Sequence, residues 1–263
     1  MAKAAPGAGM FGGEPEKAGM KRKVLMVAAG VLAVLGGGAL AVAALQGGST
    51  VAPNDRAAIE KVVREYILSH PEIIPEAMQK LQQKKLSGAI DESRSALETP
   101  YAGAWEGAAN GDVVLVEFFD YACRYCRQSL ADISKLVAGD PKLKVVYREL
   151  PILSDESGEA AKASLYAAEQ GKYMPFHRAL YAAGQVSRDT ILAAATTAGL
   201  DRKAVDEAMK SARYDKEVMS NITLAQSLQA TGTPLFVVGD RVMNGAVGYD
   251  ELKSAIAEAR AGR

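Results

Sequence analysis

The sequence predicts an α/β domain with a helical insertion, preceded by an N-terminal helical stalk. Three observations lead to this prediction. An apolar, β-branched and aromatic run over 113–119 is typical of a buried strand, and a second strand pattern over 144–149 follows a helical one. An Ala-rich helical block then precedes a strand pair and a final helix. The order β-α-β, helical block, β-β-α indicates a mixed sheet covered by helices.

Composition limits the classes of protein to consider. The chain has 263 residues, 49% of them hydrophobic, so we expect one packed domain with appendages. With 31 Lys or Arg and 31 Asp or Glu, the formal net charge is zero, and no nucleic-acid partner is expected. The only 2 cysteines lie so close together that a disulfide between them would restrain little chain entropy. The pair is therefore more consistent with redox, catalytic or metal chemistry than with a structural staple.

The N-terminal region predicts a tail and a membrane segment. Residues 1–20 are rich in Ala, Gly, Pro and Lys, which is the composition of a disordered tail. The basic cluster 21–23 precedes an uncharged run from Val24 to Leu45, which as a helix would span ~33 Å of hydrocarbon. We therefore predict a single-pass transmembrane anchor over 21–46. Positive charge on its N-terminal side places the rest of the chain outside.

A cleaved signal peptide is the alternative for the same segment. Small-x-small sites at 39–41 and 41–43 are acceptable to a signal peptidase, and cleavage would leave a soluble exported protein. The region before the apolar run is long for a signal peptide, and the run exceeds a typical apolar core, which favours the anchor. Either interpretation exports the C-terminal portion to a compartment where disulfides form.

Residues 47–100 predict a linker and a helical stalk. An apolar stripe is followed by an interruption at Ser69-His70-Pro71, and a second helix starts near Pro71 and Pro75. This stalk is either a spacer between membrane and domain or an oligomerisation element that would make a homo-oligomer. No heptad repeat is sustained, which favours the spacer. The stripe consists of Ile59, Val62, Val63, Tyr66 and Ile67, and continues with Ile74, Ala77, Met78 and Leu81.

The predicted domain covers 101–263, with the helical insertion at about 155–229. Within the insertion, breaks between helices are expected at Gly171, Gly184 and Gly199. The remaining elements are a helix over Cys123–Val137, a hairpin formed by Leu235–Val238 and Arg241–Asn244, and a final helix over Tyr249–Ala261.

The candidate site is Cys123-Arg124-Tyr125-Cys126, directly after a strand and at the start of a helix. The first N–H groups of a helix lack partners and its macrodipole is positive there, so the pKa of Cys123 should fall below the free value of ~8.5. Arg124 is expected to lower this pKa further and make the protein more oxidising. Cys126 lies farther into the helix and can close a reducible disulfide. We predict Cys123 as the nucleophile that forms a mixed disulfide with a substrate protein, and Cys126 as the resolving thiol.

These residues carry a family resemblance. The run from Glu117 to Cys126 resembles the active-site strand and helix start of DsbA-like thiol-disulfide oxidoreductases of the thioredoxin superfamily. Tyr147–Pro151 looks like the strand end that follows, and Thr231–Pro234 resembles the cis-proline loop. The 59–81 region is similar to the N-terminal helical extension of exported members. The resemblance covers roughly residues 55–260.

The resemblance implies a thioredoxin fold with a helical insertion and disulfide exchange with substrate proteins, without a bound cofactor. It implies that Pro234 lies beside the cysteines, with Thr233 backbone groups available to a substrate strand. The dipeptide Arg124-Tyr125 would tune Cys123. The implied location is the periplasmic side of a bacterial inner membrane. The redox partner there would be a quinone-linked oxidase if the protein is an oxidase, or a transmembrane thiol reductant if it is an isomerase or reductase.

Glu117 has two interpretations. It resembles the family's buried acid, which relays protons to Cys126. The alternative is an edge or partly solvated carboxylate paired with a Lys or Arg.

Two other functions compete with disulfide exchange. A structural metal site is not expected, because a second Cys pair is missing and His70 and His177 are not at ligand spacing. We interpret His177 as a surface or core-edge residue. Capture of copper by the two thiolates of an exported protein is one alternative function. A non-enzymatic anchored scaffold is the other, and it explains the stalk but not a Cys pair at a strand-to-helix junction.

Overall fold

The computed structural model describes residues 53–262, and the chain divides into two compact units at the boundary between Pro71 and Glu72. The predicted tail, the predicted membrane segment over 21–46 and the start of the linker lie outside the described residues. Within 53–262, no helix is both long and apolar enough to cross a membrane.

In the first unit, the described residues form one helix, α1 (Pro53–Ser69), which ends where the sequence predicted an interruption. The Ser69 hydroxyl donates to the Glu65 carbonyl at 2.8 Å and so contributes to the end of the helix. The predicted apolar stripe is present, but it lies exposed, with Val62 at 64% and Tyr66 at 52% relative exposure. Within its own unit, this helix therefore buries little apolar surface.

The second unit contains a five-stranded mixed sheet in the order β1-β3-β2-β4-β5. Strands β2 and β3 are parallel, and the other neighbours are antiparallel. The sequence did not predict β1, because three residues are too few to display an alternating pattern. The strands are β1 (Trp105–Gly107), β2 (Val113–Phe119), β3 (Leu143–Glu149), β4 (Leu235–Val238) and β5 (Arg241–Asn244).

Helices cover both faces of this sheet. They are α2 (Ile73–Glu98), α3 (Arg124–Gly139), α4 (Asp155–Glu169), α5 (Tyr173–Ala182), α6 (Arg188–Thr197), α7 (Arg202–Lys210), α8 (Asp215–Ser227) and α9 (Tyr249–Ala261). Side chains alternate along the strands, so Leu115 and Val145 enter a core with α3, α9 and most of the insertion. Val116 and Val146 enter a second core on the opposite face, with α2 and α8. We call these the redox face and the opposite face.

The helix α2 (Ile73–Glu98) belongs to this second unit. Ile90 and Leu97, near its C-terminal end, are each 1% exposed and pack in the core of the opposite face. The sequence assigned the segment up to residue 100 to the stalk and started the domain near Tyr101, whereas the compact unit starts at Glu72. The C-terminal half of α2 is mostly polar, so the sequence pattern did not show that Ile90 and Leu97 pack on the sheet.

The helices of the insertion are separated at the three glycines that the sequence analysis predicted. Gly171, Gly184 and Gly199 separate successive helices and have φ angles of +65°, +86° and +73°. Glycine adopts this left-handed region without a steric cost, which ends each helix and allows the next to turn back. The insertion thereby forms a compact cap on the redox face.

Candidate active site

Cys123 lies at the junction of β2 and α3, where it caps the helix. Its Sγ accepts a hydrogen bond from the Cys126 N–H at 3.3 Å, and its own N–H donates to the Asp120 carbonyl at 3.0 Å. Both cysteines are free thiols, and they are 4% and 1% exposed. The strand end and the helix start therefore hold Cys123 against unpaired helical N–H groups, as the spacing predicted.

The surroundings of Cys123 favour its thiolate. A hydrogen bond with the Cys126 side chain is the largest cause that lowers the pKa of Cys123, to about 6, against an opposing effect of burial. The side chain of Thr233 and the backbone of Cys126 and Tyr125 lower this pKa further. The expected lowering is present, but Arg124 is not among its causes. The exposed Arg124 guanidinium lies 4.8 Å from the centroid of the Tyr125 ring instead.

Cys126 has the opposite character. Burial raises the pKa of its thiol, and the hydrogen bond with Cys123 and the charge of Glu117 raise it further. The protonated thiol of Cys126 thus donates a hydrogen bond to the sulfur of Cys123. The thiolate lies at the mouth of the site and the protonated thiol lies inside. Such a pair can attack a disulfide with one sulfur and later release the product with the other.

The loop Thr231–Pro234 completes the mouth of the site. The peptide bond between Thr233 and Pro234 is cis, and the Thr233 carbonyl lies 3.2 Å from the Cys123 sulfur, which donates to it as a thiol. Asn244 on β5 fixes the loop, since its Oδ1 accepts from the Thr231 N–H at 3.0 Å. Strand β4 pairs with β2, so a loop more than a hundred residues later in the chain reaches Cys123.

Glu117 lies on β2 with its side chain in the core of the redox face, and it is 1% exposed. Burial raises the pKa of this carboxyl well above its usual range, and the charges of Cys123 and Glu106 add to the effect. Its Oε1 makes no hydrogen bond with any described residue. The alternative of a partly solvated carboxylate paired with a cation is therefore wrong. The ionisable groups that interact with Glu117 are Cys123, Cys126, Glu106, Tyr121, Tyr147, Glu149 and Tyr181.

Sequence reasoning missed Asp120, which is buried in the loop before Cys123. Its carboxylate accepts four hydrogen bonds, from the N–H groups of Ala122 (2.8 Å), Ile152 (2.8 Å) and Leu153 (2.9 Å) and from the Ser157 hydroxyl (2.7 Å). These bonds fix the active-site loop against the segment after β3. An Asp two residues before a backbone donor is a recognised turn signal, but its long-range partners have no local signature.

His177 lies in the core rather than at the surface or core edge. It is 0% exposed and stands among the rings of Phe119, Tyr147 and Tyr173. Burial lowers the pKa of its imidazole to about 3, so it is neutral. Its Nδ1 lies 3.0 Å from the Tyr121 hydroxyl. Within 53–262, no group of three or more His, Cys, Asp or Glu could hold a metal ion.

Family models match two parts of the chain. The model of the DSBA-like thioredoxin domain matches residues 114–257, more than half of the chain. The model of the copper resistance protein ScsC N-terminal domain matches residues 55–85, which cover most of α1 and the first half of α2.

Several solved structures are similar. A thioredoxin-like oxidoreductase from Silicibacter pomeroyi is 40% identical, with a TM-score of 0.59 over 64% of this chain and 98% of that one. A linker-deletion variant of Proteus mirabilis ScsC is 25% identical, with a TM-score of 0.64 over 82% of this chain and 100% of that one. The thiol-disulfide exchange protein alpha-DsbA2 from Wolbachia pipientis is 27% identical, with a TM-score of 0.61 over 68% and 97%.

Curated relatives are longer proteins. The Na(+)/H(+) antiporter NhaA 1 of Salinispora arenicola is 27% identical over 159 residues, or 59% of this chain. NhaA 3 of Salinispora tropica is 28% identical over 156 residues, or 58% of this chain. In both cases the match spans only 24% of the length of the relative.

Proposed function

The chain belongs to the DSBA-like thioredoxin family of thiol-disulfide oxidoreductases, and from this premise we propose that it exchanges disulfides with substrate proteins through Cys123 and Cys126. Membership of the family confirms the predicted fold class and enzyme class. The observation that carries the proposal is the placement of the two thiols, since the Cys123 sulfur accepts from the Cys126 N–H at the helix start and Cys126 is buried behind it. In this arrangement the pKa of Cys123 is lowered and that of Cys126 is raised. One sulfur is thereby prepared to attack or leave, and the other to hold a proton.

In the oxidising direction the pair starts as a disulfide. A substrate thiolate attacks the Cys123 sulfur, the bond between Cys123 and Cys126 breaks, and Cys126 leaves with the electron pair and takes up a proton. A second substrate thiolate then attacks the substrate sulfur of the mixed disulfide and releases Cys123 as a thiolate. The substrate is oxidised to a disulfide and the enzyme is reduced. Because Cys123 is the better leaving group, the second step is favoured.

Glu117 is the group that exchanges this proton with Cys126. Its charge and the thiol of Cys126 interact, and both are buried on the redox face. A carboxyl with a raised pKa can donate to the leaving thiolate and recover the proton in the reverse step.

Substrate binding is assigned to the mouth of the site. The backbone of Thr233, next to Pro234, would pair with an extended substrate segment. Exposed apolar side chains border the loop before Cys123, since Asp120 in that loop accepts from the N–H groups of Ile152 and Leu153, which are 48% and 53% exposed. Together with Tyr125, which is 50% exposed, they suit unfolded proteins with apolar segments.

The direction of exchange depends on the redox partner. A quinone-linked membrane oxidase would keep the pair oxidised, and a transmembrane thiol reductant would keep it reduced. We assign the domain to the periplasmic side of a bacterial inner membrane, on the basis of the basic cluster and apolar run at the N-terminus. Trapping the thiols of Cys123 and Cys126 in intact cells distinguishes the two partners, because it reports their steady-state oxidation.

A homo-oligomer through the stalk is part of the proposal. The exposed stripe on α1, with Ile59 at 51% and Val62 at 64% exposure, offers apolar surface that self-association would bury. Sedimentation of the exported portion, with and without Val62→Lys on this stripe, tests it. Equal monomeric mass for both would support a spacer instead.

The division of roles has a direct test. Cys126→Ser should accumulate mixed disulfides with substrate proteins, because the resolving thiol is absent, and Cys123→Ser should accumulate none. Alkylation of the reduced wild type near pH 6 should modify Cys123 first. Equal trapping by both variants, or first reaction at Cys126, would refute the assignment.

Copper(I) binding is a second candidate. Two adjacent thiols can hold this soft cation in a two-coordinate site, and the family model matched at 55–85 is that of a copper resistance protein. Titration of the reduced protein with copper(I) against a chromophoric chelator tests it. Loss of binding in either Cys→Ser variant is the expected result, and binding that survives both variants would place the metal elsewhere.

A further inference from the structure

Glu117 holds a proton in a place that bulk water does not reach. Before Cys126 resolves a mixed disulfide, Glu117 must lose this proton to solvent, and its carboxylate then accepts the proton of the Cys126 thiol. The resulting thiolate attacks Cys123, the bond between the two cysteines forms, and the bond from Cys123 to the substrate breaks. The substrate leaves as a thiolate, and the proton stays on Glu117. Because Glu117 is 1% exposed, its exchange of protons with solvent needs a route, and the rate of resolution by Cys126 depends on that route.

A row of polar side chains crosses the sheet from Glu117 to the edge. Glu117 on β2 and Tyr147 on β3 are register partners, and both belong to the redox face. Tyr147 is 2% exposed, and its hydroxyl donates to Oε1 of Glu106 on β1 at 2.5 Å. Strand β1 is the neighbour of β3 and the end of the described sheet, so the row runs from the centre of the core to its margin.

The outer end of this row meets solvent. Glu106 is 10% exposed, and its second oxygen, Oε2, accepts from Arg178 at 2.8 Å. Arg178 is 61% exposed, so the ion pair lies at the protein surface. The Glu106 carboxylate is hydrogen-bonded on one side to the buried phenol of Tyr147 and on the other to the exposed Arg178, so it links the core to water.

We propose that Tyr147 and Glu106 carry the proton between Glu117 and solvent, an inference that rests on the proposed role of Glu117. As the Tyr147 oxygen receives a proton from Glu117, its own proton passes along the existing hydrogen bond to Glu106, which releases it to water. One proton leaves, and the phenol ends uncharged. Oε1 of Glu117 is not engaged by any other described residue, so the carboxyl can turn toward Tyr147.

The phenol serves as a relay rather than as a proton store. Burial raises the pKa of Tyr147 well above its usual range, and the charges of Glu106 and Glu117 raise it further, so a tyrosinate does not accumulate. Concerted transfer avoids that charged state. Tyr147 and Glu106 are therefore assigned as proton-transfer residues that act through Glu117 and not on the sulfurs.

A two-phase reaction separates the steps. The reduced protein is mixed with excess nitrobenzoate disulfide, whose thiolate product absorbs visible light. Attack by Cys123 releases one thiolate, and resolution by Cys126 releases a second. The variants are Tyr147→Phe and Glu106→Gln, and the matched control is Tyr173→Phe, which removes another buried phenol hydroxyl that has no described hydrogen-bond partner.

The rate of the first phase should be the same in the wild type and in all variants, since this phase depends on Cys123. The second phase should slow on the order of tenfold in Tyr147→Phe and Glu106→Gln, less than the hundredfold typical of a lost direct proton-transfer group. Tyr173→Phe should leave it unchanged. In Glu106→Ala, added formate should restore the second phase by replacing the missing carboxylate, a rescue that a purely structural role would not show.

The outcomes separate this path from the proposed function. A second phase slowed by Glu117→Gln but unchanged in Tyr147→Phe and Glu106→Gln would overturn the path alone. A second phase unchanged in Glu117→Gln would overturn the role of Glu117 and the path with it. If Tyr147→Phe does not fold, the two Glu106 variants decide the matter, because Glu106 lies on an edge strand at the surface.

Discussion

Glu117 and Arg148 are both ionisable side chains buried in the central strands, but they serve opposite faces of the sheet. Glu117 lies in the core of the redox face, and one of its oxygens has no described hydrogen-bond partner. Arg148 on β3 points the other way and is 5% exposed. It donates to the carboxylate of Glu217 at 3.0 Å and to the amide oxygen of Asn221 at 3.2 Å.

Arg148 also ends a helix. Its guanidinium donates to the carbonyls of Ala96, Leu97 and Thr99, which are at the C-terminal end of α2 and lack partners within the helix. The cation also complements the negative end of the helix dipole. Burial lowers the pKa of Arg148 although Glu217 opposes this, and several acceptors stabilise the charge.

The difference between the two residues shows how burial serves structure or chemistry. The two terminal nitrogens of the Arg148 guanidinium bind acceptors on two helices, and a buried charge held in this way locks those elements together and resists any change of protonation. A buried acid with an unengaged oxygen is easily protonated and can pass its proton on. The two faces of one sheet thus separate the attachment of α2 from the redox reaction.

Arg148→Met should produce the largest effect, on stability rather than on chemistry. Removing the guanidinium leaves helix-end carbonyls and Glu217 without their donor, which should lower the free energy of unfolding by roughly 3–5 kcal/mol. Urea unfolding measures it. The control is Arg241→Met, whose half-exposed pairs with Glu251 and Glu258 should matter by no more than about 1 kcal/mol. An equal decrease in the free energy of unfolding for both variants would show that Arg148 contributes no more to stability than an exposed arginine.

Cys123 is an intermediate case, a charge held by hydrogen-bond donors at the mouth of the site. Alkylation of the reduced protein should rise with pH around a midpoint near 6, instead of the ~8.5 of a free thiol. Because the folded-state pKa is lowered, the thiolate stabilises the reduced protein fully above the free-thiol value, and this contribution is lost as pH falls through 6. Thermal unfolding of the reduced wild type and of Cys123→Ser over a pH series tests this direction, because the stability advantage of the wild type should decrease as pH falls. A midpoint at the free-thiol value would contradict the site geometry.

Glu117→Gln should slow resolution of the mixed disulfide about a hundredfold, because a direct proton-transfer group is lost. The folded-state pKa of Glu117 is raised, so the wild type is most stable relative to the Gln variant below the ordinary carboxyl pKa of ~4.3. That advantage should disappear as pH rises through the folded-state pKa. Single-turnover kinetics and unfolding over a pH series measure both effects. A large loss of stability at neutral pH would make Glu117 resemble Arg148 and remove the contrast.

Arg124→Ala should produce the smallest effect. The exposed guanidinium stacks on Tyr125 and is not among the groups that shift Cys123. We therefore expect less than about a twofold change in the thiolate equilibrium, below the ~0.5–1 kcal/mol expected when a surface charge pair is lost. Titration of thiolate absorbance at low and high salt is the measurement. A pKa that rises clearly at low salt would restore Arg124 as a determinant of the redox potential.

The sequence by itself determined the order of elements and the location of the cysteine pair. Apolar alternation and helical periodicity are local patterns, so the buried strand over Val113–Phe119, the final helix over Tyr249–Ala261 and the glycine breaks of the insertion could be predicted from short windows. Cys123 at a strand-to-helix junction is likewise a local feature, and it predicts the lowered pKa. The three-residue strand β1 was missed because so short a segment has no period.

Only the tertiary structure decided which groups act on those cysteines. The Thr233 carbonyl reaches Cys123 across 110 residues of sequence, Glu106 reaches Tyr147 across 41, and Arg148 reaches Thr99 across 49. Burial separates Glu117 from water, and burial is a property of the packed sheet and its covering helices rather than of any local pattern. Proton affinity in a core depends on the absence of solvent and on a few distant partners, and both come into being only when the chain has folded.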